Sequence, residues 1–463
     1  MIWPLALLLL TVLLGAHFIG QSRESSVRLA SNFWVVFYIF GYYLPIPFFL
    51  DGSDGWSTIW GFAFHDKEAA LTQALVLVTL GGLTLSICSR GIGRVCSHPS
   101  KNPAQTTWPQ RSIGGKIAGL RITLLFGMVF GILLIGIQLV GGLWSLLANL
   151  GDRITLFAGL NAFFLPVNML IGACFAVSAA RAVNNSIPRR YEWLAICATL
   201  PALLLLGQKA NIFILALGVI IIKLATTRQV RLAPLVAAGF LGVNLLLLYE
   251  FVFREALIIG VDKDKLTLDG WFTFFWTQVT GNFMQIQNLT VLIDAMPKEL
   301  NYALGDTYIA ILSLVIPQQF ISIKPLTAAG VHTLAFWPEI VARESTTMPP
   351  GIFGEAYMNF GWLGYILLCA LIGLILRRID APWRTGRPRT AMDLVWVATA
   401  GALSLHFIRG ELFAPLLIMI GIYIGAKFSL SERKVALDRR NSATGQLRAL
   451  RKPSAAPTSQ TTR

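Results

Sequence analysis

Apolar runs of about 14 to 22 residues recur from the first residue to about 428, separated by short polar segments. They predict membrane-spanning helices at 1–20, 30–50, 70–89, 118–141, 157–180, 193–207, 210–224, 232–250, 360–376, 391–408 and 411–428, about eleven in all. The first run resembles a signal peptide, but no basic residue precedes it and no small-x-small cleavage site follows, so it is read as a span. The pair around Lys209 is short for full crossing and is also compatible with a hairpin. The expected fold is therefore an all-α polytopic membrane protein, divided into helices 1–8 over 1–250, a large loop over 251–350, helices 9–11 over 351–428 and a basic tail over 429–463.

Composition agrees with this pattern. Of the 463 residues, 55% are hydrophobic and 13% charged, against about 25% charged in an average soluble domain. The net charge of +15 raises the question of nucleic acid, but most Lys and Arg lie in alternate short loops rather than on one folded polar face. Such loops stay in the cytoplasm, which puts the N-terminus outside and the C-terminal tail inside. The tail, rich in Arg, Ser, Thr and Pro, reads as disordered and able to touch anionic lipid.

The stretch 251–350 breaks the rhythm. It falls outside by this register, carries more acids than bases, and is long enough to be functional. Its apolar patches, Trp271–Trp276 and Tyr308–Ile323, predict helices lying in the outer interface or re-entering it. None of the five cysteines falls in this loop, so neither a disulfide framework nor a zinc cluster is expected there. Gly127 with Gly131, and Gly421 with Gly425, have the four-residue spacing of close helix contacts.

Ionisable groups near membrane depth are costly and tend to mark function. Here they gather at the outer ends of spans: Arg254 and Glu255, Arg343, Glu344 and Glu355, and His406, Arg409 and Glu411. A secondary transporter would instead place them near the midplane of repeated halves, and no repeat is visible. A lipid diphosphate donor needs cations to hold phosphate and stabilise charge as the glycosyl bond breaks, and Arg does this with a planar fork. Arg254, Arg343 and Arg409 are the candidates, each with an ion pair to a neighbouring Glu as its alternative. A sugar hydroxyl needs a base, for which His332, Glu344 and Glu355 are in range. Glu355 has a second reading as a helix N-terminal cap. Asp262 with Asp264, and Asp51 with Asp54, match metal-holding pairs only formally, because lysines flank the first and a solvated turn explains the second. No metal or other cofactor is expected.

Residues 343–364 read Arg343-Glu-Ser-Thr-Thr-Met-Pro-Pro-Gly351-Ile-Phe-Gly354-Glu355-Ala-Tyr357-Met-Asn359-Phe-Gly361-Trp-Leu-Gly364. This string resembles the bacterial O-antigen and exopolysaccharide polymerases of the Wzy type, whose last large outer loop ends in Pro-Gly-x-x-Gly-Glu-x-Tyr-x-Asn-Phe-Gly. Arg343 and Gly354 also match the family's Arg-to-Gly signature, while Arg254 with Gly270 is a looser candidate for its second one. The resemblance implies a type C glycosyltransferase fold acting on undecaprenyl-diphosphate-linked oligosaccharides at the outer face of the cytoplasmic membrane. It implies no cofactor, and partnership with membrane lipid, a chain-length regulator and a flippase, but not with nucleic acid. An O-antigen ligase and a lipid-linked glycan flippase are the alternatives of similar layout.

Overall fold

The computed structural model describes residues 2–22, 28–51, 64–90, 115–139, 141–148, 164–184, 188–205, 209–226, 270, 283–315, 326–338, 348–384 and 390–430. Their elements are helical throughout. In chain order they are α1 (Ile2–Ser22), α2 (Leu29–Tyr42), α3 (Ile46–Asp51), α4 (Lys67–Arg90), α5 (Gly115–Leu139), α6 (Leu143–Ala148), α7 (Phe164–Asn184), α8 (Arg189–Leu205), α9 (Lys209–Thr226), α10 (Gln285–Ala295), α11 (Asp306–Val315), α12 (Ala328–Phe336), α13 (Gly351–Ile379), α14 (Ala381–Arg384), α15 (Ala391–Arg409) and α16 (Phe413–Leu430). Six of the described helices are long and apolar enough to cross a membrane, α4, α5, α7, α13, α15 and α16, and three shorter ones are also apolar, α1, α2 and α9. The expected span at 232–250 lies outside the described residues. The uncertain pair around Lys209 forms two helices, α8 and α9.

The bundle is built on α4 against α13, α16 against α7, and α15 against both α2 and α9. Of the two glycine pairs, one makes the close contact expected. A Cβ on Gly425 would strike the Met169 carbonyl, and one on Gly421 would come within 2.6 Å of Asn168 Cβ, so α16 lies directly on the α7 backbone. Gly127 and Gly131 have no described neighbour within 4 Å. Among the described residues, that part of α5 presents Leu124 and Met128 as exposed side chains beside them.

Two ends of the bundle can be told apart. At one, Asp380 at the end of α13 caps α2, receiving the Ala30 and Ser31 amides over 3.1 and 3.0 Å and the Ser31 hydroxyl over 2.6 Å. Arg28, Arg377 and Arg378 border this end. At the other, the last residues of α2 and α15 meet the first residues of α10 and α13. A Cβ on Gly41 would reach Ile408 at 3.0 Å and Gln285 at 3.6 Å.

Within the 251–350 stretch, the described segment 283–300 carries a helix that the hydropathy did not single out. Every residue of α10 is buried, and the helix packs on α4 and α13. Its Asp294 accepts the His65 and Asp66 amides at 2.8 and 3.2 Å, which pins the start of α4 to the loop. The 308–323 patch is helical over the described part, as α11. The patch at 271–276 lies outside the described residues.

Candidate functional site at the mouth of a broken helix

The span expected from residue 360 begins nine residues earlier, at Gly351, and 360 is instead where the helix breaks. Phe360 (φ −137°, ψ 16°) and Gly361 (φ 60°, ψ −147°) leave helical geometry, a conformation for which glycine is suited because it has no Cβ. A Cβ on Gly361 would also press on the Tyr302 ring at 3.2–3.3 Å.

A break strands the carbonyls that would have closed the next turn. The segment before α11 satisfies two of them: Ala303 N–H donates to the Met358 carbonyl at 3.0 Å and Leu304 N–H to the Asn359 carbonyl at 3.1 Å. The Asn359 side chain completes the splice. Its Oδ1 receives the Gly305 amide at 2.8 Å, and its Nδ2 donates to Thr307 Oγ1 at 2.7 Å and to the Glu355 carbonyl at 2.8 Å. Tyr357 stacks edge-on against Tyr302, ring centroids 6.3 Å apart.

The other positions of the string have equally definite neighbours. Gly351 has φ +76°, and a Cβ on it would collide with the Ile408 carbonyl and come within 2.7 Å of Gln285 Oε1. A Cβ on Gly354 would meet Pro350 at 2.9 Å. Glu355, 1% exposed, lies inside α13 and not at its N-terminus, where Pro350 is the cap. Its Oε1 receives the Thr307 hydroxyl at 3.2 Å and its Oε2 the Leu412 amide at 2.9 Å. Glu355 therefore bridges α11 to the turn between α15 and α16.

That turn is held again from α12, where the Ala329 amide donates to Glu411 Oε2 at 2.9 Å, and from α10, where Gln285 Nε2 donates to the Arg409 carbonyl at 3.4 Å. Arg409 itself is half-buried. His332 on α12 is fully buried. Its Nδ1 pairs with the Met348 carbonyl at 2.9 Å, while the Met348 amide donates to Thr333 Oγ1 at 2.7 Å. Donation from Nδ1 fixes the tautomer that leaves a lone pair on Nε2. Nε2 is buried without a hydrogen-bond partner. Burial lowers the His332 pKa from 6.5 to about 4, although the bond to Met348 raises it.

Below Glu355 a cavity of about 530 Å³ follows α13, walled by Tyr308, Phe360, Leu363, Leu367 and Leu371 with Gly364 among them. Leu363, Leu367 and Leu371 recur every four residues and are 66%, 58% and 54% exposed, so the cavity is a furrow on the side of the span. Its lining is apolar along the span, with Tyr308 and the buried Glu355 at one end.

Of the residues singled out in the sequence, Glu355, Arg409, His332, Gly351, Gly354, Tyr357, Asn359 and Gly361 are thus gathered at one end of the bundle. Arg254, Arg343 and Glu344 lie outside the described residues, as do Asp54, Asp262 and Asp264; Asp51 ends α3. Among the described residues no three His, Cys, Asp or Glu converge as a metal site would require. Sequence reasoning missed Gln285, Asn288, Tyr302, Thr307 and Thr333. The signal available was a run of amides in an apolar segment, Gln285, Gln287 and Asn288, of which Asn288 donates to the Pro349 carbonyl at 3.2 Å.

No curated protein and no solved structure matches the chain significantly. The sequence model of the family described as O-antigen polysaccharide polymerase Wzy matches residues 2–428, nearly the whole chain, and with the helical membrane bundle and the 349–361 string in place, the chain belongs to that family.

Proposed function

We propose that the protein joins undecaprenyl-diphosphate-linked oligosaccharide repeat units into O-antigen or exopolysaccharide at the outer face of the bacterial cytoplasmic membrane, with its N-terminus outside and its tail in the cytoplasm. The observation that carries this reading is the meeting of the family's string with a furrow that runs along the span, apolar in lining and ending at Glu355 and Tyr308 of the string's junction. That is the shape an amphiphile with a long hydrocarbon chain requires. Orientation is supported by charge, since Arg28, Arg377 and Arg378 border the end opposite the string.

In this reading Arg343, Arg254 and Arg409 hold the departing diphosphate. The acceptor hydroxyl is met by Glu344 or His332. For His332 the support is its neutral imidazole, which leaves a lone pair on Nε2. The reaction leaves a longer glycan on one carrier and a free carrier diphosphate, and a chain-length regulator and a flippase are its proposed partners.

A deletion strain tests the function. Loss of a polymerase leaves surface glycolipid carrying a single repeat. A surface without any repeat on the core would indicate a ligase instead, and repeats trapped inside would indicate a flippase.

A further inference from the structure

Glu355 is the acid of the family string, and its position suggests the base of the reaction; its contacts point elsewhere. The carboxylate is 1% exposed. Each oxygen receives a hydrogen bond from a different part of the chain, Oε1 from Thr307 and Oε2 from the Leu412 backbone. A general base needs an oxygen directed at the proton it removes. Here both are directed at protein donors, and one donor is a main-chain amide whose burial without an acceptor would be costly.

What the carboxylate holds is a turn gripped along its whole length. The Ile408 carbonyl lies against Gly351, where any side chain would displace it. The Arg409 carbonyl takes Gln285 Nε2, Glu411 takes the Ala329 amide, and Leu412 gives its amide to Glu355. Three elements, α10, α12 and α13, thus fix the backbone that carries Arg409. A phosphate-binding arginine is effective only when its fork is held in place, because displacement by about 1 Å can lower the rate about a hundredfold.

We propose that Glu355 and Gln285 are positioning residues, which act on the reaction by fixing the α15–α16 turn and so the guanidinium of Arg409. This rests on the polymerase reading for the part played by Arg409, but the clamp itself does not. Glutamine in place of Glu355 keeps an Oε1 acceptor for the Leu412 amide, whereas alanine removes it.

The test uses the full-length protein in lipid vesicles, with two independent readouts on Glu355→Gln, Glu355→Ala, Thr307→Val and Gln285→Ala. The first is hydrogen–deuterium exchange of the 409–413 amides, which needs no substrate. Protection is expected to persist in Glu355→Gln and to fall in Glu355→Ala, and unchanged protection in Glu355→Ala overturns the clamp. The second is polymerisation of lipid-linked repeat units. Glu355→Gln should keep most of the wild-type rate with a pH profile that overlays it. Glu355→Ala should lose about a hundredfold, and adding Arg409→Ala to it should cost little more, because Arg409 is already displaced.

If Glu355→Gln is as inactive as Glu355→Ala and keeps its protection, Glu355 is a catalytic base and the proposal is overturned. Fully additive losses with Arg409→Ala overturn it as well. Thr307→Val retains the Leu412 bond, so it guards against a Glu355→Ala protein that does not fold: exchange at 409–413 should stay slow in it, and fast exchange there contradicts the assignment of the clamp to Oε2. Wild-type protein that shows the clamp by exchange yet makes no polymer from lipid-linked repeats would instead refute the polymerase reading.

Discussion

Asn359 receives the Gly305 amide on Oδ1 over 2.8 Å, and with that bond the chain before α11 becomes part of the broken helix α13. The same side chain donates to Thr307, which in turn donates to Glu355. A break that would leave a membrane helix with stranded polar groups is instead a three-way junction.

Replacing Asn359 by Leu keeps the volume and removes the junction. Buried groups left unpaired cost about 1–3 kcal/mol each, and the Gly305 amide is one that loses its partner. Asn359→Leu should lower the thermal midpoint in detergent by several degrees and reduce membrane abundance. An unchanged midpoint would show that the Asn359 side chain does not support the break in α13.

Glycines separate just as clearly. Gly351→Ala places a methyl against the Ile408 carbonyl at φ +76°, so it should disturb the Arg409 turn and cut polymer output. Gly127→Ala meets no described atom within 4 Å and should be tolerated, with a helix-propensity gain of up to about 1 kcal/mol. Equal behaviour of the two variants in a membrane-abundance assay and a polymer gel would reject the contrast.

His332 makes the docking of α12 depend on pH in a definite direction. Its pKa is about 4 when buried, against 6.5 when released. Between those values the released state binds the proton that the docked state refuses, so docking is strongest above pH 6.5 and weakens as the pH falls towards 4. The whole loss amounts to about 3 kcal/mol. Exchange protection of residues 328–336, corrected for intrinsic rates, should therefore be higher at pH 7.5 than at 5, and His332→Gln should abolish the difference. A wild type equally protected at both values would refute it.

Arg343 opens the 343–364 string and is proposed to hold the donor diphosphate. Lysine keeps its charge but loses the bidentate fork, so Arg343→Lys should retain partial activity and Arg343→Ala little. Loss of one such contact costs about 3–4 kcal/mol, roughly a hundred- to a thousandfold in rate. An exposed pair with Glu344 is worth about 1 kcal/mol or less. Long polymer from Arg343→Ala at wild-type abundance would transfer the role to Arg254 or Arg409.

Orientation is checked by fusion. A phosphatase joined near residue 300 should be active and one near residue 440 silent; the reverse would invert the proposed topology.

How much of this was legible follows from the range of the interactions. Spans such as α4, α15 and α16 are written locally, as apolar runs, and appear where the hydropathy places them. The Gly351–Gly361 string also announced a special site. Hydropathy put the start of the ninth span at 360, which is the break and not the beginning, because the half-helix before it carries Glu355 and Asn359 and reads as loop. The partners of these residues could not be read at all. Thr307 is 48 residues from Glu355, and Gln285 is 124 from Arg409, distances over which no periodicity connects donor to acceptor. Burial of α10 was hidden for a related reason: its amides look solvent-facing until Pro349 and Arg409 are seen to receive them.

The furrow beside α13 is walled by exposed leucines along its length, and this has a bearing on traffic. Among the described residues nothing closes over it, so under the proposed function a carrier's hydrocarbon chain would enter and leave sideways, within the plane of the bilayer, without being threaded end-first past the protein. A spent carrier would then drift off while its replacement slid in from the same pool of lipid. Turnover of carriers and growth of the sugar chain would in that way be uncoupled in space, the tails exchanging laterally beside α13 and the glycan lengthening beyond the break at Gly361.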